Sequence, residues 1–225
     1  LLKEGAPPAR IQLDPGAGKT LIFLLAAALV PGRKLIVTRA NVKYHIAKEL
    51  KSWLGLDATV LEGEKTRDLK DAPRDAFLIA SYEILPAWVK ALKQVRPACV
   101  VFDEIHRAGK SGRRYVAGYT TSGHVKFIKL ENIASACADL AGVAQRRIGA
   151  SATPHKDRTR DWWQTLDLLG PKEWGPKLAK YTFDGINGRP LLLDGSGQPQ
   201  EVWYGFKVRY CGAFLTSLGF WDDRG

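Results

Sequence analysis

The segment Asp14-Pro15-Gly16-Ala17-Gly18-Lys19-Thr20 stands between a short apolar stretch, Ile11-Gln12-Leu13, and the apolar run Leu21 to Val30. A strand that turns through glycines straight into a helix constrains this chain more than any other feature. The glycines let main-chain amides approach phosphate oxygens without side-chain obstruction, and the helix amino end adds favourable electrostatics. In such a turn Gly16, Ala17 and Gly18 would form the cradle, Lys19 would meet the β and γ phosphates, and the Thr20 hydroxyl would coordinate Mg2+. The common phosphate-loop pattern has a further glycine four residues ahead of Ala17, where this chain carries Leu13. A tight turn with no ligand is the plainer alternative, and the flanking strand and helix argue against it.

A second motif completes the chemistry. The apolar run Ala98 to Phe102 delivers Asp103-Glu104-Ile105-His106 at its end. Asp103 would emerge on the Mg2+ side of a crevice, Glu104 is the candidate to orient or activate water, and His106 connects the phosphate site to a neighbouring element. Taken alone, the pair also reads as an acidic helix start after a strand. Ser151-Ala152-Thr153-Pro154 follows a further apolar stretch, and its hydroxyls, on Ser151 and Thr153, are placed to bond near His106 and transmit nucleotide state. A Ser/Thr turn closed by Pro154 explains the same residues locally.

Between these motifs, strands alternate with helices. Lys34 to Thr38, Phe77 to Ala80, Ala98 to Phe102 and Arg147 to Ala150 read as buried strands, with Thr59 to Leu61 a weaker one. Helices are expected over Lys19–Leu29, Val42–Trp53, Leu85–Val95 and Glu131–Leu140, the second with Val42, Ile46, Leu50 and Trp53 inward. The predicted class is α/β, a mostly parallel central sheet flanked by helices, with each catalytic candidate at a strand's carboxyl end, where open α/β sheets form ligand crevices. Ala108 to Ser122 reads as a long exposed loop. Asp161 to Leu169 is amphipathic, with Trp162, Leu166 and Leu169 inward. Leu191-Leu192-Leu193 and Glu201 to Tyr204 flank a Gly/Ser/Pro-containing turn and suggest a small hairpin-like accessory element.

With 225 residues, 45% of them apolar, the chain is long enough for one substantial core. Its 34 Lys and Arg against 23 Asp and Glu give a formal charge of +11, which favours a polyanionic partner. Cys99, Cys137 and Cys211 are too few and too dispersed for a disulfide framework or a zinc module. The longest apolar run is too short to span a bilayer, and with no secretory signal the expectation is an intracellular protein without membrane contact, cytoplasmic if prokaryotic or viral and nuclear if eukaryotic. The chain has no methionine at all, so a segment of a longer protein is expected.

Together these motifs resemble superfamily 2 helicases and translocases, whose motor is two RecA-like domains with ATP between them; the chain looks like the first. Within that superfamily it is most similar to the Snf2-like DNA translocases, including the annealing-helicase type. Asp14 to Thr20 resembles motif I, Leu35 to Ala40 motif Ia, Ile79 to Leu85 motif Ib, Asp103 to His106 motif II and Gly149 to Pro154 motif III. The resemblance implies ATP and Mg2+ as cofactors, with Lys19 and Thr20 on phosphate and metal, Asp103 on metal, Glu104 on the attacking water, and Ser151 and Thr153 in interdomain coupling. It also implies that Thr38, Arg39 and Ser81 contact a nucleic-acid backbone, although each also reads as a cap or loop residue. Tyr210-Cys211 and Gly219 to Asp222 look like a connector. The adenine-recognising glutamine of the family has no counterpart, because Gln12 is too close to the loop.

These readings divide the chain into residues 1–180, a first motor domain short of its amino end, and 181–225, a hairpin-like insertion and connector towards a second RecA-like domain. The expected function is ATP-dependent translocation on double-stranded DNA. Because the arginine fingers of such motors sit in the second domain, this segment alone should turn ATP over slowly. The alternatives are an RNA or DNA helicase or restriction-type translocase of another branch, and a nonenzymatic nucleic-acid-binding fragment. The basic stretch from Arg107, with Lys110, Arg113 and Arg114, is as readable as a solvated charge run as a DNA contact.

Overall fold

The computed structural model of the chain describes residues 9–63, 69, 72–110, 115–119, 125–129, 131–152, 165–166 and 168–170, and short strands within 181–222. In chain order these are β1 (Ala9–Gln12), α1 (Lys19–Ala28), β2 (Lys34–Thr38), α2 (Lys43–Leu54), β3 (Ala58–Val60) and β4 (Phe77–Ser81). There follow α3 (Leu85–Val95), β5 (Cys99–Asp103), α4 (His106–Lys110), β6 (Tyr115–Tyr119), β7 (Val125–Lys129), α5 (Ile133–Val143) and β8 (Arg146–Ser151). The central sheet has six strands in the order β1-β8-β5-β2-β4-β3, and every pairing in it is parallel.

Residue alternation along the inner strands explains the layers. Leu35 and Val37 of β2, Leu78 and Ala80 of β4, and Val100 and Phe102 of β5 face a cluster with Trp88 and Leu92 of α3 and Cys137 and Leu140 of α5. Their neighbours Ile36, Phe77, Ile79, Cys99 and Val101 face Phe23, Leu24 and Ala27 of α1 and Ile46 and Leu50 of α2. Both faces are covered, so β2 and β4 are buried throughout and read as continuous apolar runs rather than alternating ones. In α3 the buried residues Leu85, Trp88, Leu92 and Val95 follow one helical stripe, and Trp88 donates its indole N–H to the Gly63 carbonyl at 2.8 Å. The side chain of Asn132 caps α5 by accepting from the Ser135 amide at 3.0 Å.

Two expectations change. Trp53 is 45% exposed, because α2 turns only Ile46 and Leu50 fully onto the sheet and Trp53 falls off that stripe. Within 108–122, expected as loop, α4 runs to Lys110 and β6 follows, pairing antiparallel with β7 in a sheet of its own; Gly118 stands opposite Lys126 and Tyr115 opposite Lys129. The interspersed glycines and basic residues conceal the strand-forming Tyr115-Val116 and Val125 to Ile128. In the amphipathic stretch Leu168 and Leu169 are buried and Leu166 is half-buried, while Trp162 lies outside the described residues.

Towards the carboxyl end, strand β10 (Pro190–Leu193) pairs antiparallel with β9 (Tyr181–Phe183) and β11 (Pro199–Gln200). The return strand lies opposite the expected Leu191 to Leu193, but earlier than Glu201 to Tyr204, which lie outside the described residues. A further pair joins β12 (Phe214–Leu215) to β13 (Trp221–Asp222). Among the described residues no helix is long and apolar enough to cross a membrane.

Candidate functional site at the carboxyl edge of the sheet

Strand register brings the motifs together. Gln12, just ahead of the glycine turn, pairs with Ser151 of β8, and Ala150 of β8 pairs with Asp103 of β5. Strand β8 therefore stands between the phosphate-loop strand and the acidic strand, with all three ending on the same edge.

The turn itself is closed by the Ala17 amide donating to the Asp14 carbonyl at 3.1 Å. Gly16 and Gly18 have φ of 81° and 83°, and a Cβ at either would meet nothing within 4 Å. Left-handed backbone, not crowding, is what demands glycine here. Gly18 caps α1, whose first turn has no acidic residue and no side-chain cap, so its amino-terminal amides are not claimed by a side-chain cap. Lys19 folds over the turn, its Nζ donating to the Leu13 carbonyl at 3.1 Å and the Asp14 carbonyl at 3.3 Å. Thr20, the second residue of α1, is half-buried.

Asp103 ends β5 with its carboxylate half-buried. Thr38 donates Oγ1–H to Asp103 Oδ2 at 2.7 Å, and the Tyr82 hydroxyl donates to the Asp103 carbonyl at 2.8 Å. Burial pushes the Asp103 carboxyl above its ordinary range; the Thr38 hydrogen bond acts against this, the Glu104 charge adds to it, and Lys19 opposes it. Burial likewise raises the Tyr82 phenol well above its ordinary value, so it stays a donor.

Glu104 follows with φ of 51°, a left-handed conformation that a non-glycine residue seldom adopts. It is held there by its neighbours. Ile105 donates its amide to the Ala150 carbonyl at 3.0 Å, and Ser151 Oγ donates to Glu104 Oε2 at 3.0 Å. His106 Nδ1 lies 3.0 Å from the same Ser151 oxygen and 3.3 Å from Glu104 Oε2. A hydroxyl has one proton, and with it pointed at Glu104 the Ser151 oxygen is left to accept, which puts the imidazole proton on Nδ1. The close fit extends to Gly149, where a Cβ would come within 2.6 Å of Ile105 Cδ1 and 3.1 Å of Leu169 Cδ1. A side chain in place of Gly149 would displace the ends of Ile105 and Leu169 under the acidic turn.

The predicted residues fall into two groups. Lys19, Thr20, Asp103, Glu104, His106 and Ser151 converge on this edge, whereas Thr153 lies outside the described residues. Thr38 and Ser81, expected to meet a nucleic-acid backbone, are 0% and 2% exposed; Thr38 spends its hydroxyl on Asp103, and neither presents a group to a strand in this structure. Arg39, one residue beyond, is exposed. Tyr82 lies within Ile79 to Leu85, and its residue type alone does not reveal that its hydroxyl holds the Asp103 carbonyl. Nor was the exposed Arg107–Glu83 pair at 3.3 Å foreseen, and an exposed pair of this kind contributes little.

Among the described residues no group of three His, Cys, Asp or Glu side chains forms a self-contained metal site. One carboxylate and one hydroxyl suit Mg2+, which keeps several waters and takes its remaining oxygens from bound phosphate.

Residues 5–161 match the family model described as DEAD/DEAH box helicase. No curated protein matches the chain. Among solved structures the chain is similar to the SWI2/SNF2 ATPase core of Sulfolobus solfataricus in complex with double-stranded DNA, with 21% identity and a TM-score of 0.54 over 73% of this chain and 32% of that one. It is also similar to the Hef helicase domain of Pyrococcus furiosus, at 18% identity and a TM-score of 0.49 over 73% of this chain and 33% of that one. The first is a likeness of fold, and this chain spans well under half the length of either.

Proposed function

This chain belongs to the DEAD/DEAH box helicase family, and on that premise we propose that it supplies the ATP- and Mg2+-binding half of a two-domain motor that translocates on double-stranded DNA. The observation that carries the reading is the register that sets β8 between the phosphate loop and the acidic pair, so that Ser151 touches Glu104 and His106 at once.

In this reading Gly16, Ala17 and Gly18 turn their amides to the phosphates, and Lys19 leaves the Leu13 and Asp14 carbonyls to pair with them. Thr20 and Asp103 would hold Mg2+, which when bound would supply charge neutralisation at the phosphates. Glu104 orients the attacking water, and its bond to Ser151 makes that orientation sensitive to the segment that follows β8. The second RecA-like domain contributes the arginines that complete the transition state, so this chain by itself turns ATP over slowly. Duplex DNA is favoured by the +11 charge, by the exposed Arg39 beside the site, and by a fold shared with a core whose solved structure holds duplex DNA. ATP binding would draw the two domains together and hydrolysis would release them, alternating the grip on the phosphate backbone.

The test is the ATPase rate of the full-length protein with blunt duplex DNA, single-stranded DNA and single-stranded RNA. Duplex DNA should raise the rate severalfold and RNA should leave it near basal. Stimulation by RNA alone would assign the chain to a different branch. A full-length protein that binds DNA without any ATPase activity would mark it as a nonenzymatic binder.

A further inference from the structure

Thr38 and Asp103 are the last residues of neighbouring parallel strands, and the pairing of Val37 with Phe102 sets them side by side. Strand alternation puts both on the face that carries α1, since Ile36 and Val101, two residues earlier, lie in the cluster beneath that helix. The Thr38 hydroxyl is fully buried and donates to Asp103 Oδ2 at 2.7 Å, a short bond of the charge-assisted kind. At the other end of the same residue the buried Tyr82 hydroxyl holds the Asp103 carbonyl at 2.8 Å. The carboxylate that the proposed reaction needs is therefore fixed both along the main chain and about its side-chain torsions. Packing alone does not call for a hydroxyl here, since valine has the shape of threonine and the residues two positions earlier on each strand, Ile36 and Val101, are apolar.

We propose that Thr38 is a positioning residue that presets the Asp103 carboxylate for Mg2+, an inference that rests on Asp103 being the metal-binding carboxylate. A carboxylate held in place before the metal arrives spends no rotational freedom on binding it. Without the Thr38 donor, Asp103 turns freely and its half-buried charge loses its closest side-chain hydrogen bond.

The experiment is equilibrium binding of a fluorescent ATP analogue to the protein at stepped Mg2+ concentrations, a readout that needs no turnover. Thr38→Val should raise the Mg2+ concentration for half-maximal nucleotide retention by about tenfold, as loss of one hydrogen bond to a charged group implies. Thr38→Ala should give the same shift and serves if the valine variant unfolds, as thermal melting will show. Thr38→Ser restores the hydroxyl and should stay within about threefold of the wild type. Analogue binding without Mg2+ should be the same in all. Valine and alanine variants with wild-type Mg2+ dependence, or a serine variant as weak as valine, would overturn the role of Thr38 alone. A wild type whose nucleotide binding ignores Mg2+ would overturn the reading of Asp103 and this role with it.

Discussion

Lys19→Ala should lower the ATP turnover of the full-length protein by about 10²–10³-fold, the usual loss when one preorganised donor to a charged transition state is removed. The fold should barely notice. Lys19 bonds only to the Leu13 and Asp14 carbonyls of its own turn, at 3.1 and 3.3 Å, and the loop around it is open to solvent. Each such bond, made by a side chain at the solvent edge, contributes about 1 kcal/mol to stability, so the thermal midpoint should fall by less than about 10 °C. DNA binding in the absence of nucleotide should be unchanged. Turnover at the wild-type rate in this variant would mean that the glycine turn is structural and that ATP, if used, binds elsewhere.

Glu104→Gln should separate binding from chemistry. Glutamine keeps the length of the side chain, and its carbonyl oxygen can still accept from Ser151, so the contacts among Glu104, Ser151 and His106 survive the change. What is lost is the negative charge that orients and activates water, a role whose removal costs about 10²–10⁴-fold. Single-turnover hydrolysis should fall by that order while ATP affinity stays within a few-fold of wild type. The left-handed φ of 51° is no worse for glutamine than for glutamate, so the stability of the two proteins should agree. Loss of ATP affinity in proportion to turnover would assign Glu104 to nucleotide binding rather than to water.

Much of this architecture was legible in the chain. The runs Lys34 to Thr38, Phe77 to Ala80 and Ala98 to Phe102 are continuous apolar segments because helices cover both faces of the sheet, and they appear as strands within one residue of the expected ends. Helix α3 begins and ends at the expected Leu85 and Val95, where Pro86 in its first turn and Arg96 at φ 44° bound it. The ribbon β6–β7 was concealed because its strand residues are diluted by Gly109, Gly112, Gly118 and Gly123, which read locally as loop. Residues of the loop and the acidic pair announce themselves through spacing and residue type, since phosphate and Mg2+ chemistry admits few substitutes. The partners of Asp103 do not, because they depend on strand order. Only once β2 is known to lie between β5 and β4 does alternation place Thr38 against Asp103 and Tyr82 within reach of its carbonyl. Thr38 therefore read as a surface contact from its motif and became a buried donor in the sheet.

Mn2+ in place of Mg2+ reports the metal site directly by electron paramagnetic resonance. With ATP present, the wild-type protein should bind Mn2+ in proportion to bound nucleotide, and Asp103→Asn, which keeps the shape and an acceptor for Thr38, should bind it about tenfold or more weakly. Equal Mn2+ binding by the wild type and Asp103→Asn would contradict the assignment of this edge of the sheet as the ATP and Mg2+ half of a motor.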